Sequence, residues 1–110
     1  MRMWMVDPEV LCRQHLLGEH NEIHKHKHNF VKGHRISGRI AINAVEPLSM
    51  GVRHDALARE MTRRGYNHKS PYEQPSLEKY SQLDREAKVD VDKSMGLLID
   101  RCENCKERIS

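Results

Sequence analysis

Within QHLLGEHNE, positions 14–22, His15, Gly18 and Glu22 follow one another at i, i+3 and i+7. On a helix that spacing stacks an imidazole, a gap and a carboxylate along one stripe, with Gln14 and Lys25 beside it. An imidazole and a carboxylate would then flank anything that approached the helix backbone closely at the gap. The gap has a cost, because glycine inside a helix is about 1 kcal/mol less favourable than alanine. Two readings of Gly18 stay open from spacing alone: it lets another helix pack closely, or it admits a reacting group. Glu22 by itself could equally be a solvated surface acid.

Two further clusters invite a metal. In HKHKH, positions 24–28, side chains two apart on a helix point about 200° away from each other. Only His24 and His28, one turn apart, could share an ion, and no third ligand accompanies them. CENC, positions 102–105, is a single CxxC. Zinc there would need two more ligands, with linker histidines such as His68 as candidates. The simpler reading makes Cys102 core and Cys105 a free thiol. A redox role would want a strand ahead of the helix, and the pattern offers none. The expectation is therefore no metal and no cofactor.

The elements that must position these residues read as helices. Asp7, Pro8 and Glu9 supply a cap, a first-turn proline and a first-turn acid, predicting a helix over about 8–31, roughly 36 Å long. Its apolar stripe is Cys12, Leu16, Ile23 and Phe30, with Leu17 and Val31 at the edge. The basic stretch KGHRISGRIAINAVEPLSM, 32–50, reads as a loop with a short extended piece at 39–43. A second helix starts near Ser49 or Gly51, packs Leu57 and Met61 inward beside Ala58, and ends in MTRRGY, where Gly65 supplies a left-handed cap. NHKSPYEQPS, 67–76, is a linker by its prolines and polar residues. A helical turn follows within 77–86, and a last helix over about 90–106 carries Met95, Leu97, Leu98 and Cys102. The fold class expected is all-α, a compact single domain of three main helices with long loops.

Bulk composition agrees. A chain of 110 residues suits one domain, 1–110, and with 37% apolar and 32% charged residues its core must be thin. The net charge of +3, eight histidines and a pI near 8.9 suit a polyanionic partner. No apolar run is long enough to span a membrane, and MRMWMVDPEV lacks the apolar stretch of a signal peptide. Three cysteines, an odd number, fit a reducing compartment. The expected location is intracellular, the cytoplasm of a host or bacterial cell.

QHLLGEHNE followed downstream by RHDALAREMTRRGYN, 53–67, resembles the phage-type pyrimidine-dimer DNA glycosylases, also called dimer-cleaving endonuclease V. The first stretch is similar to that family's Gln-His-Leu-x-x-Glu-x-x-Glu helix. The second is similar to its Arg-x-x-x-Leu-x-x-Glu segment ending in Arg-Gly-aromatic-Asn. The resemblance implies a glycosylase with apurinic-site lyase activity on damaged double-stranded DNA. In it the first residue's α-amine forms a Schiff base at C1′, and a helix-1 glutamate assists proton transfer. By motif position that glutamate is Glu22. Met1 carries the amine, because Arg2 should block methionine removal, and a retained formyl group or an N-terminal tag should abolish the chemistry.

The resemblance also implies DNA contacts. Arg2, Gln14 and His15 match positions near the DNA backbone and the active site. Lys25 stands where the family has arginine, Asn21 replaces another arginine and loses its charge, and Arg101 matches a basic contact loosely. Lys27, Lys32, His34, Arg35, Arg39 and Arg64 add positive charge that could hold phosphates. The family's aromatic, basic tail has no counterpart in RCENCKERIS, so lesion choice is left open, with Tyr66, Tyr72, Tyr80 or Trp4 as stacking candidates. The enzyme is expected to act as a monomer, with no membrane and no small-molecule cofactor. Two alternatives from other classes are a non-catalytic DNA-binding module on the same scaffold and a zinc-dependent nuclease using the histidines and CENC.

Overall fold

The structure, a computed structural model, describes residues 2–33, 45–67, 71–78 and 80–109. The expectations that fall on Met1, His34, Arg35, Arg39, His68 and the extended piece at 39–43 lie outside these residues. Every regular element among the described residues is helical, as expected. The elements are a 3-10 turn at Pro8–Val10, α1 at Arg13–Lys32, a 3-10 turn at Pro47–Ser49, α2 at Met50–Arg63, α3 at Gln82–Arg85, α4 at Val91–Arg101 and α5 at Glu103–Ile109. None of the described helices is long and apolar enough to cross a membrane.

α1 and α2 pack on each other, and α5 packs against α4 and the first 3-10 turn. The stripe read from the sequence faces inward: Cys12, Leu16, Ile23 and Phe30 are buried, whereas Val31 is half exposed. α2 contributes Leu57 and Met61, α4 contributes Leu98, and the N-terminal segment contributes Met3 and Val6. In an extended strand, residues three apart point to opposite faces. Met5 between them has φ 58°, a left-handed conformation uncommon for a non-glycine residue. It breaks the alternation and lets both Met3 and Val6 turn toward the core.

Two helix boundaries differ from the sequence reading. The signal at Asp7-Pro8-Glu9 is real, and Asp7 Oδ1 accepts the Glu9 N–H at 3.0 Å, but it starts only the 3-10 turn. Leu11 and Cys12 are extended. Leu11 is fully buried, and its carbonyl accepts from the Arg64 guanidinium at 2.7 Å, so tertiary partners end the turn that local preference would have prolonged. The expected last helix is likewise two helices, because Cys102 leaves the helical region at φ −135°, ψ 106°. The end of α2 matches the sequence, with Gly65 at φ 88°.

A buried polar contact joins α1, α2 and the chain start. Arg53 Nε and Nη2 donate to the two oxygens of Glu19 at 2.6 and 2.8 Å, and Nη1 donates to the Val6 carbonyl. Both side chains are buried. Removing one partner of such a pair leaves an uncompensated charge and costs about 3–5 kcal/mol.

A second charged group closes the other end of α2. The Glu60 carboxylate accepts from Arg63 at 2.7 and 2.6 Å and from Arg64 at 2.6 Å, while Arg64 also donates to the carbonyls of Pro8, Glu9 and Leu11. The Arg63 hydrogen bond is the largest influence holding the Glu60 carboxyl down at about 2, against an ordinary value of 4.5, and Arg64 adds to it. A carboxyl depressed on folding stabilises the native state above its unfolded value, and that contribution fades as pH falls from 4.5 toward 2. Urea midpoints of the wild-type chain should therefore fall more steeply over that window than those of Glu60→Gln. Parallel pH profiles for the two proteins would contradict the assignment.

Candidate active site

α1 and the N-terminal segment enclose a cleft of about 280 Å³ lined by Arg2, Trp4, Gln14, His15, Gly18, Glu19 and Glu22. Met3 and Val6, being core residues, hold the segment against the helix. Arg2 fixes its outer end: Nε donates to Ser94 Oγ at 3.0 Å and Nη2 to the Asp90 carbonyl at 3.0 Å. The Arg2 guanidinium also lies 5.8 Å from the centre of the Trp4 ring, and Trp4 meets His15 edge-on with centroids 5.5 Å apart.

The two motif carboxylates have different fates. Glu19 is buried on Arg53, whereas the Glu22 side chain is 39% exposed at the cleft. Glu22 Oε2 lies 3.3 Å from Nε2 of the buried His26. An Asn29 amide at 3.0 Å from His26 Nδ1, donating there, leaves the ring proton on Nε2 facing Glu22. Sequence reasoning missed His26, although its i+4 spacing from Glu22 was a usable signal.

The close-packing reading of Gly18 finds no support among the described residues. A Cβ built on it would meet nothing within 4 Å, so no described element packs there, and its face opens into the cleft. Burial keeps the His15 imidazole below its ordinary value of 6.5, which favours its neutral form.

Of the remaining expected contacts, Gln14, Lys25, Lys32 and Arg101 are exposed. Arg64 is not: its side chain is 11% exposed, and its hydrogen bonds go to Glu60 and to the 3-10 turn. Two larger grooves, of about 610 and 770 Å³, run along α1 and α5 and along α2 and Tyr72. The smaller cleft is singled out by chemistry, since it gathers Arg2, Gln14, His15, Gly18 and Glu22.

Both clusters considered for metals have partners the sequence did not reveal. His28 is exposed, and His24 instead converges with residues on both sides of the α1–α2 contact. His54 Nε2 lies 3.1 Å from His20 Nε2 and 3.0 Å from His24 Nε2. Asp55 Oδ1 is 3.0 Å from His54 Nδ1. Tyr72 stacks on the His54 ring at 5.0 Å, and burial pushes its hydroxyl up to about 12. The cysteines of CENC meet Cys12 and His15 at the start of α1. Cys12-x-x-His15 was a visible ligand pair, but 90 residues separate Cys12 from Cys102.

No curated protein and no solved structure matches the chain. Residues 1–74, which carry the cleft-lining residues, α1 and α2, match the family model described as pyrimidine dimer DNA glycosylase, and the chain belongs to that family.

Proposed function

We propose that this glycosylase attacks C1′ of a damaged nucleotide with the α-amine of Met1 and then cleaves the strand as a lyase, with Glu22 moving the protons. The observation that carries this reading is the shared cleft: Arg2, the residue next to Met1, lines the same space as the half-exposed carboxylate of Glu22. Membership of the family makes DNA the substrate class.

The chemistry follows from groups of ordinary reactivity. An α-amine has a pKa of about 7.7–8.0, far below that of lysine, so an appreciable fraction is neutral and nucleophilic at pH 7. Its nitrogen bonds to C1′ as the bond to the base breaks and the base leaves with a proton. Opening of the sugar ring then gives a cationic imine, which a nearby carboxylate stabilises. Loss of a C2′ proton to Glu22 expels the 3′ phosphate. His26 acts as a positioning residue by holding Glu22 Oε2. Lesion access requires an extruded base, cheapest at damaged pairs. Arg2, Gln14, Lys25 and Lys32, with Arg35, Arg39 and Arg101, are proposed to steer the phosphates, so binding should weaken with salt.

Glu22→Gln should bind an abasic-site duplex as the wild type does, while strand cleavage falls by about 10²–10⁴. Gel-based cleavage beside a binding isotherm measures both, and unchanged cleavage would refute the role of Glu22. Gly18→Ala should separate stability from activity. The added methyl meets nothing within 4 Å, so the variant should gain about 0.5–1 kcal/mol in urea unfolding and yet cleave more slowly, because the methyl occupies the cleft. A stabilised variant with full cleavage would remove Gly18 from the site.

A further inference from the structure

We propose that Cys12, His15, Cys102 and Cys105 bind a zinc ion in a closed structural site joining the start of α1 to α4 and α5. One ligand atom from each residue lies within 4.8 Å of the others. Cys12 Sγ is 3.8 Å from Cys102 Sγ and 3.2 Å from His15 Nδ1, and Cys105 Sγ is 3.4 Å from that same nitrogen. A tetrahedral zinc with bonds of about 2.3 Å to sulfur and about 2.0 Å to nitrogen has S···S edges of about 3.8 Å and S···N edges of about 3.5 Å. Three of the six donor–donor edges thus lie within about 0.3 Å of those such an ion requires, and the other three are no longer than 4.8 Å.

The backbone is shaped for the same purpose. Two of the extended residues that interrupt the helices are ligands: Cys12, directly before α1, and Cys102, between α4 and α5. Each break brings a sulfur into the cluster. Backbone N–H groups then point at two of the sulfurs, Cys12 N–H to Cys105 Sγ at 3.2 Å and Cys105 N–H to Cys102 Sγ at 3.5 Å. Such bonds are the supporting shell that orients and stabilises thiolate ligands. All three cysteines are free thiols, and zinc binding would release their protons to solvent.

Four protein ligands leave no open coordination position, which is the pattern of a structural rather than a catalytic ion. A thin-cored domain gains most from such a staple. The ion would also hold His15 by Nδ1, leaving Nε2 as the ring nitrogen available to the Glu22 cleft that His15 lines. Cys12 and His15 belong to the family-matched residues 1–74, while Cys102 and Cys105 lie beyond them, so the site ties the two parts together. The trio of His20, His24 and His54 differs in kind, since it offers three imidazole nitrogens and no thiolate.

The test is a cobalt titration of the full chain, stripped of metal and with thiols reduced, together with the zinc content of the chain as purified. The expected result is about one zinc per chain and, on cobalt addition, a thiolate-to-cobalt charge-transfer band with tetrahedral d–d bands that zinc displaces. Cobalt on histidines alone gives no thiolate band, so the trio cannot imitate this signal. The Cys102→Ser, Cys105→Ser double variant should lose the band. Should that variant fail to fold, His15→Cys serves in its place, keeping the band and strengthening it. A reduced wild-type chain with no thiolate band overturns the proposal, as does a band that persists in the double variant or a His15→Cys spectrum identical to wild type.

Discussion

The guanidinium of Arg53 sits where α1, α2 and the N-terminal segment meet, donating to both oxygens of Glu19 and to the carbonyl of Val6. Charges that deep are tolerable only when each is paired and its remaining donors are satisfied. The pair therefore fixes the register of α1 against α2 at one turn. Through Val6, it also fixes where the first residues of the chain can run. Glu22 lies one turn beyond Glu19, so the contact that buries one carboxylate also sets the position of the exposed one. The cleft between the chain start and α1 is a consequence of that arrangement.

The motif residues divide by burial into two kinds of work. Leu16, Glu19, Arg53 and Leu57 face inward and build the α1–α2 pair, while the buried Glu60 accepts from Arg63 and Arg64 at the end of α2. Gln14, Gly18 and Glu22 remain at the cleft. Arg64, a plausible phosphate contact by charge, holds the first 3-10 turn to the end of α2 instead. The motif position of Arg64 therefore serves the fold, its side chain being largely buried on those carbonyls.

Local signals were legible in the sequence, and non-local ones were not. The apolar stripe of α1 and the Gly65 cap of α2 follow from periodicity and from glycine's left-handed freedom. The stripe that carries His15, Gly18 and Glu22 was legible too, because helical geometry alone puts those residues on one side. The two misplaced helix boundaries have a different origin. At Leu11 and Cys12, and again at Cys102, no proline or glycine marks a break. The chain leaves the helix for partners far away in sequence: Arg64 for the Leu11 carbonyl and Cys105 for the Cys12 N–H. The same separation hid Cys12 and His15 as companions of CENC, and His54 as a companion of His20 and His24. His26 was missed for a local reason, since HKHKH reads as a solvated basic run although His26 is buried against Glu22.

Borohydride reduction during reaction with an abasic-site duplex decides whether the chain's own amino terminus is the nucleophile in the Glu22 cleft. Reduction converts a transient imine into a stable bond, and mass spectrometry of the digested adduct then locates it. The expectation is a deoxyribose remnant on the α-nitrogen of Met1. An adduct on a lysine side chain, or strand cleavage with no trapped species at all, would contradict it.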